Sequence, residues 1–489
     1  MDKSFKRDFI KGSAAASMGT IVAMVFQFLS IVIITRHVTK EEFGVYVLII
    51  VISTFLDTAS GMALEQSLVK FISSADEQER KSTFIPTLII RIILIFIAVI
   101  LVVLFRSSLM SLFSFTATEF LYVIIILFIL SSFRGLFYNL LQGMNLFKKY
   151  ASVQTVTSVI RVALLLIIVY IQELTLKNVL LVEMVAVTFT VLLQLAFIPY
   201  KEVFHWNMNP DNIKKIIKFS IPLYLSGISY FVQTQVNVFV ISAYLNPVSI
   251  ANYDVAGKIP QASAKGFQSF IIVFYPNLSR LLSRGERDSA LILINKSLLT
   301  FSIIINMLLL VSFIFNKEII LLLFSEKYLD SSLAFSLMMV AFYLSAMSNI
   351  MGYSLVSAGL PSTTLKVNIA AGIINLIGVF LMVPLLGFIG AVYSLLLTGF
   401  ASLLFHYLYL TKYDMKIELI RFIKPSLITF MVVLIYYLLT LDNLIFKGIL
   451  LIVYFIAIYF LLPEAKVIFN QIIKHLFKFK SENSSENIL

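Results

Sequence analysis

Long hydrophobic stretches recur along the whole 489-residue chain, and short polar connections separate them. Each stretch holds about 20 residues, which as a helix is long enough to cross about 30 Å of hydrocarbon. None of the connections is long enough to house a folded domain. The pattern predicts an all-α polytopic membrane protein with fourteen transmembrane helices. The predicted spans cover residues 12–35, 43–63, 83–105, 120–140, 151–172, 178–198, 216–245, 256–277, 291–315, 334–358, 363–383, 388–410, 420–440 and 443–462.

The composition supports this class and excludes several others. Hydrophobic residues make up 60% of the chain and charged residues only 13%, whereas soluble domains carry about 25% charged residues. The chain has no Cys, which excludes disulfides, thiolate metal sites and cysteine nucleophiles, and its four His are scattered. No Walker-type phosphate loop is present, so ATP hydrolysis is not expected. We therefore expect no metal site, no cofactor and no enzymatic activity.

The net charge of +12 is explained by membrane topology rather than by nucleic-acid binding. Lys and Arg are concentrated at the N-terminus, in alternate connections starting after span 2, and in the C-terminal tail, which together with the adjoining span ends hold 26 of them. The connections on the opposite side and their adjoining span ends hold only seven. Because positive residues tend to stay in the cytoplasm, this asymmetry predicts cytoplasmic N- and C-termini and an even number of spans.

Two stretches of the chain repeat the same order of features. Residues Ile33–Tyr46 and 240–253 each show the apolar end of a helix, a polar turn and a Tyr that opens the next helix. The repeat predicts two pseudo-symmetric six-helix lobes, which are the usual architecture of alternating-access transporters. The predicted organisation is an N-terminal lobe at 1–200, a C-terminal lobe at 201–412, two further helices at 413–463 and a cytoplasmic tail at 464–489.

Among the positive side chains inside predicted spans, five are candidates for the interior of the protein, namely Arg91, Arg134, Arg161, Lys258 and Lys265. Each would cost roughly 2.5–3.5 kcal/mol at the centre of the bilayer. We therefore expect these side chains to face a water-filled interior or to pair with acids.

Fewer acids than bases are available in or near the spans, and they are Asp57, Glu65, Glu183 and Asp254. One cation remains even if every acid is paired, which predicts a cavity of net positive charge. Such a cavity suits an anionic substrate, because Arg can bind two phosphate oxygens at once. Asp57, Glu183 and Asp254 are also candidates for ion coupling, with a permanent counter-ion role as the alternative.

Polar side chains near these cations are candidates for substrate contacts. Span 8 carries a stripe on one face of the predicted helix, formed by Asp254, Lys258, Gln261, Lys265 and Gln268 at spacings of 4, 3, 4 and 3 residues. Span 7 adds Gln233 and Asn237. Such groups also hydrogen-bond between packed helices, and a lysine near the membrane surface extends toward it. Both interpretations stay open from the sequence.

Short motifs stand at equivalent places in the two halves of the chain. The run Glu41–Tyr46, EEFGVY, closes the first extracellular turn, and Ala251-Asn252-Tyr253 stands at the corresponding place in the second half. A small-residue turn, Ala358–Pro361, precedes span 11 and is followed by Lys366 and Asn375. In their order along fourteen spans, these motifs resemble the polysaccharide-transport branch of the MOP flippase superfamily, typified by bacterial O-antigen flippases.

The resemblance implies a flippase of the bacterial cytoplasmic membrane. It would move a polyprenyl-diphosphate-linked oligosaccharide from the cytoplasmic to the outer leaflet, for O-antigen or capsule-type polysaccharide. Arg91, Arg134, Arg161 and Lys265 would bind the diphosphate, and Gln233, Asn237, Gln261 and Gln268 the sugars. Lys258 is a further candidate for substrate binding. Asn237 stands where many relatives carry an acid, so ion coupling through that position is in doubt. Membrane lipids and other polysaccharide-assembly proteins are the implied partners, and nucleic acid is not.

Three alternatives stay open. A flippase for the lipid-linked peptidoglycan precursor would also bind a diphosphate. A multidrug exporter of the same superfamily is the second, although such exporters usually have fewer spans and prefer cationic substrates. A membrane polysaccharide polymerase is less expected, because it would need a sizeable extramembrane loop or a carboxylate cluster at the interface.

Overall fold

The computed structural model of the chain is helical throughout, and the residues it describes contain no β-strand. The structure describes residues 3–74, 77–112, 119–204, 210–439, 443–461 and 466. A 3-10 turn at Glu326–Ser331 precedes the helix that begins at Ser332. The helices of the described ranges, in chain order, are α1 (Lys3–His37), α2 (Lys40–Gly61), α3 (Leu64–Ser74), α4 (Glu77–Leu104), α5 (Arg106–Leu112), α6 (Glu119–Gly143), α7 (Phe147–Ile171), α8 (Leu176–Phe197), α9 (Tyr200–Val203), α10 (Pro210–Tyr244), α11 (Pro247–Ser283), α12 (Arg287–Ile314), α13 (Asn316–Leu323), α14 (Ser332–Ser357), α15 (Pro361–Leu386), α16 (Phe388–Lys412), α17 (Leu419–Leu439) and α18 (Leu444–Leu461).

Twelve helices in the described part of the chain are long and apolar enough to cross a membrane, namely α1, α2, α4, α6, α7, α8, α12, α14, α15, α16, α17 and α18. The helices α10 and α11, of 35 and 37 residues, contain predicted spans 7 and 8 but fall outside this set, because polar residues interrupt their apolar stretches. Each of the fourteen predicted spans thus lies in a helix, and the predicted all-α polytopic class is confirmed. The predicted tail at 464–489 lies outside the described residues, apart from Lys466.

The chain divides into two compact units. The first contains the residues up to Val255 together with Leu323–Tyr328 and Leu376–Ala391. The second contains Ala256–Leu322, Leu329–Asn375 and the residues from Val392 onward. The division into lobes at 1–200 and 201–412, which came from the internal repeat, stays a prediction.

In the first unit, α6 contacts α2, α3, α7 and α8, while α1 packs along α7. The contact between α1 and α7 is close, because a Cβ placed on Gly19 would lie 2.7 Å from the Cβ of Ala151. Leu68, Phe84 and Leu140 belong to a fully buried apolar cluster contributed by α3, α4 and α6. This packing brings the polar side chains of α2, α3, α4 and α6 within reach of one another.

Helix α2 ends in a sharp bend that leads into α3. Met62 and Ala63 have φ angles of 48° and 52°, in the left-handed region that costs a residue other than glycine about 1–2 kcal/mol. The hydroxyl of Tyr224 on α10 donates to the carbonyl oxygen of Ala59, just before the bend, at 2.8 Å. Contacts with neighbouring helices therefore hold a backbone conformation that is unfavourable by itself.

The start of α2 and the start of α11 approach each other closely within the first unit. The carbonyl group of Pro247 occupies the space that a Cβ on Gly44 would need, so that only glycine fits there. Thr39 and Glu42 form a capping box at the start of α2, with the Glu42 backbone N–H donating to the Thr39 hydroxyl at 3.2 Å. The EEFGVY motif thus combines a fixed helix start with a close helix contact.

In the second unit, α12 is surrounded by α14, α17 and α18. The hydroxyl of Ser302 on α12 donates to the carbonyl oxygen of Phe422 on α17 at 2.5 Å and lies 3.2 Å from the hydroxyl of Tyr343 on α14. Lys447 on α18 is buried and forms an ion pair with Glu318 on α13. These polar contacts fasten α17 to α12 and α18 to α13, where α17 and α18 are the two additional helices of the sequence prediction.

Candidate functional site

Arg91 on α4 lies at the centre of a polar cluster in the first unit. Its Nη2 atom forms an ion pair with the Oδ1 atom of Asp57 on α2 and lies 3.4 Å from the Oε1 atom of Glu65 on α3. The hydroxyl of Ser132 on α6 donates to the same Asp57 oxygen at 2.7 Å. One guanidinium group therefore connects the two helices that flank the bend.

The Arg91 side chain is 0% exposed, whereas those of Asp57 and Glu65 are 31% and 15% exposed. The absence of a side chain on Gly61 makes room for the guanidinium, because a Cβ there would lie 3.0 Å from Nη1. The Nε and Nη1 atoms have no hydrogen-bond partner among the described residues. With two carboxylates and one guanidinium, the cluster has a formal charge of −1, and Arg91 offers no exposed positive charge.

Arg161 on α7 is the second paired cation of the first unit. Its Nη2 atom lies 2.8 Å from the Oε2 atom of Glu183 on α8 and donates to the hydroxyl oxygen of Tyr46 at 2.7 Å. The Tyr46 hydroxyl in turn donates to Glu183 Oε2 at 3.3 Å. The three groups form a closed, largely buried triangle that links α2, α7 and α8, with Arg161 15% and Glu183 14% exposed.

The two tyrosines of the sequence repeat, Tyr46 and Tyr253, are both buried in the first unit. The amide of Asn237 on α10 donates to the hydroxyl of Tyr253 at 2.9 Å. The carboxylate of Asp254 is close enough to act electrostatically on Tyr46, Tyr253 and Tyr328. Asp254 and Asn237 therefore belong to a buried region of tyrosine hydroxyls.

Arg134 on α6 differs from the other two arginines. Its side chain is half-buried, and its hydrogen-bond partner is the hydroxyl of Ser131, one turn earlier, at a long distance of 3.4 Å. No carboxylate of the described part of the chain lies within 4.0 Å of it, in contrast to Arg91 and Arg161. Arg134 is therefore a cation in a membrane-length helix whose charge the described residues leave uncompensated.

The stripe predicted on span 8 lies on α11. Gln261, Lys265 and Gln268 of the second unit are exposed, and Lys258 is half-buried. Their common exposure agrees with the single helix face that the spacing predicts. Gln233 on α10, in the first unit, is half-buried.

Sequence reasoning missed the hydroxyl groups that complete these clusters. Tyr46 bridges an arginine and a glutamate, and Ser132 supports Asp57, although neither was singled out as a site residue. A serine in an apolar helix gives no signal about which helix it faces. The repeated tyrosine gave a signal, since Tyr46 and Tyr253 stand at equivalent places in the two halves, but the signal did not reveal the partner of either hydroxyl. The structure starts their helices earlier than the sequence indicated, at Lys40 and Pro247.

The comparisons with known proteins agree with this architecture. Residues 9–282 match the sequence profile of the family described as "Polysaccharide biosynthesis protein". The chain is 24% identical over 443 residues to an uncharacterized membrane protein of Methanocaldococcus jannaschii, with 84% of this chain and 85% of the relative covered.

Two solved structures share the fold at low sequence identity. Lipid II flippase MurJ in an inward closed conformation has a TM-score of 0.72 at 16% identity, covering 94% of this chain and 99% of that chain. An inward-facing multidrug resistance MATE family transporter of the MOP superfamily has a TM-score of 0.64 at 13% identity, covering 80% of this chain and 94% of that chain. The resemblance derived from the sequence motifs is confirmed: the chain is a multi-pass membrane protein with the MOP-superfamily fold, and it belongs to the polysaccharide biosynthesis protein family.

Proposed function

We propose that the protein is a flippase that moves a polyprenyl-diphosphate-linked oligosaccharide from the cytoplasmic to the outer leaflet during cell-surface polysaccharide biosynthesis. Family membership and the fold shared with MOP transporters support this function. The cytoplasmic membrane is the proposed location, with both termini in the cytoplasm, as the distribution of Lys and Arg favours.

The observation that carries the proposal is the uncompensated charge of Arg134. A guanidinium group inside a membrane-length helix is costly unless water, a counter-ion or an anionic ligand surrounds it. The planar guanidinium can bind two phosphate oxygens in parallel, which suits a diphosphate. Lys265, which is exposed and has no acidic partner among the described residues, is a second candidate phosphate ligand.

The ion pairs of the other two arginines make them poorer candidates for binding phosphate. Arg91 and Arg161 are both paired with carboxylates, so we propose that they hold helices together rather than bind phosphate. The exposed amides of Gln261 and Gln268 are proposed to contact the sugars, because amides donate and accept hydrogen bonds. Gln233 and Asn237, half-buried and buried, are weaker candidates for that role.

The test is a leaflet assay on the purified protein in proteoliposomes that contain a polyprenyl-diphosphate-linked oligosaccharide with a fluorescent sugar. We expect the wild-type protein to move the sugar across the bilayer, and Arg134→Ala to abolish this movement while the protein remains folded. Arg284→Ala, which removes an exposed arginine after α11, is the matched control and should flip normally.

Two further substrates separate the alternatives. The same assay with the lipid-linked peptidoglycan precursor and with a cationic drug tests the two competing transport functions. Movement of either substrate without movement of the oligosaccharide lipid would contradict the proposed substrate class. Normal flipping by both Arg134→Ala and Lys265→Ala would contradict the proposed role of these cations.

A further inference from the structure

The cluster around Arg91 has one carboxylate more than its single guanidinium group can neutralise. Asp57 has the shorter contact with Arg91 and also accepts the Ser132 hydrogen bond. Glu65 has one ion-pair contact among the described residues, the 3.4 Å approach of its Oε1 atom to Arg91 Nη2. The two carboxylates therefore compete for the same nitrogen atom, and Asp57 has the better geometry.

A buried carboxylate with incomplete pairing is unfavourable, because the surrounding protein replaces little of the hydration that it has lost. Such a group loses its charge by binding a proton more readily than it remains ionised. The side chain of Glu65 is only 15% exposed, compared with 31% for Asp57. Of the two carboxylates, Glu65 is thus both the less hydrated and the less well paired.

We propose that Asp57, Glu65 and Arg91 form a proton-binding site in which the carboxylate of Glu65 takes up the proton. The proton comes from water and converts the carboxylate into a neutral carboxylic acid, so that the cluster changes from a charge of −1 to zero. Arg91 then remains paired with Asp57 alone.

The groups that face Glu65 from neighbouring helices do not supply a second cation. Helices α4, α6 and α10 pack against α3, and the charged side chains that act electrostatically on Glu65 are Asp57 of α2 and Arg91 of α4. Arg134 of α6 and Tyr224 of α10 are further titratable groups of the packed helices. Among the cations of the described part of the chain, only Arg91 lies within 4.0 Å of the Glu65 carboxylate. The lysines of α10, at positions 214, 215 and 218, are exposed.

The position of Glu65 connects proton binding to the bend between α2 and α3. Glu65 follows Ala63 by two residues, and Asp57 precedes Met62 by five, so that Arg91 bridges the strained segment. Protonation of Glu65 removes the charge that attracts α3 to Arg91. The bend then depends on its contacts with α10, namely the Tyr224 hydrogen bond and the 2.5 Å contact between the hydroxyls of Ser67 and Ser220.

The role of this site in transport rests on the proposed function, but the site itself can be tested without any substrate. The measurement is pH-difference infrared spectroscopy of the full-length protein in lipid nanodiscs, which detects the carbonyl band of a protonated carboxylic acid. We expect the wild-type protein to show a band that Glu65→Gln lacks. Glu173→Gln, which changes an exposed acid between α7 and α8, should retain it.

A second variant tests the competition directly. In Asp57→Asn the guanidinium has only Glu65 as its partner, so that the ionised form of Glu65 is favoured and its band should shift to lower pH. An unchanged band in Glu65→Gln, or a shift to higher pH in Asp57→Asn, would overturn the proposal.

A transport measurement then links the site to function. Flipping by the wild-type protein should respond to collapse of the pH gradient, and flipping by Glu65→Gln should lose this response. If no lipid-linked sugar is flipped while the infrared band still disappears in Glu65→Gln, the proton site stands and the proposed function fails. If flipping occurs but the band persists in that variant, the proposed function stands and the proton site fails.

Discussion

Replacing Arg91 with methionine should destabilise the protein strongly. The substitution keeps a long, flexible side chain in the space beside Gly61 but removes the charge that Asp57 and Glu65 share. Both carboxylates then lie in a largely buried environment without a cation. The Ser132 hydroxyl still donates to Asp57, but a neutral donor cannot compensate a full negative charge.

The magnitude follows from the burial of the cluster. Removing one member of a buried ion pair costs about 3–5 kcal/mol, because the remaining charge stays buried without compensation. We expect the upper part of this range, since Arg91 is 0% exposed and has two acidic neighbours. Arg134→Met is the matched control, because that guanidinium is half-buried and without a nearby carboxylate; its cost should stay below about 1 kcal/mol.

Denaturant titration of the purified protein in mixed micelles, followed by circular dichroism, measures both changes in the free energy of unfolding. The variant in which Arg91→Met is combined with Asp57→Asn and Glu65→Gln should recover most of the loss, because it contains no buried charge. The loss in Arg91→Met should also shrink as the pH falls. Without the guanidinium, both carboxylates bind protons more strongly in the folded state, so the variant loses stability as the pH rises.

An equal stability of Arg91→Met and Arg134→Met would refute this reasoning, since the two substitutions delete the same group. Failure of the triple variant to recover stability would show that the Arg91 side chain acts through packing rather than through charge.

Three further predictions concern other parts of the chain. Gly44→Val should lower the melting temperature in detergent, because its Cβ would overlap the carbonyl of Pro247, whereas Gly448→Ala should not, since a Cβ there meets open space; equal melting temperatures would contradict the close contact. Lys447→Met should cost about 1–2 kcal/mol of unfolding free energy, because the buried ammonium is lost from its ion pair and from two aromatic rings. A single Cys introduced at Glu173 should react with an impermeant maleimide from outside intact cells, and one at Lys412 should not; the chain has no native Cys that would interfere. The reverse labelling pattern would contradict the orientation.

The all-helical fold could be predicted because about 20 consecutive apolar residues have few alternatives to a membrane helix. The sequence also indicated where the bend after α2 lies, since the predicted second span ends at residue 63, within the left-handed segment. The sequence showed no proline there, and the continuation of the chain as α3 depends on contacts with α10 that a linear pattern does not contain.

The paired charges were harder to predict than the helices. The sequence identified Arg91 and Arg161 and the acids available to them, but spacing along one helix defines a face and not the neighbour that this face meets. The packing of separate helices determines which acids these arginines meet. Arg91 meets Asp57 and Glu65, and Arg161 meets Glu183. The sequence allowed the intramembrane cations either to pair with acids or to face water, and the structure shows pairing for Arg91 and Arg161.

The close contact at Gly44 restricts the ways in which this end of the first unit can change shape. The Pro247 carbonyl rests against the backbone of α2 with no side chain between them. Positions three and four residues apart share a helix face, so sliding one helix start along the other would drive that oxygen toward the side chains of Val47 or Leu48. The two helix starts therefore have to move apart before they can rearrange. The close contact at Gly44 sets the direction of this initial movement.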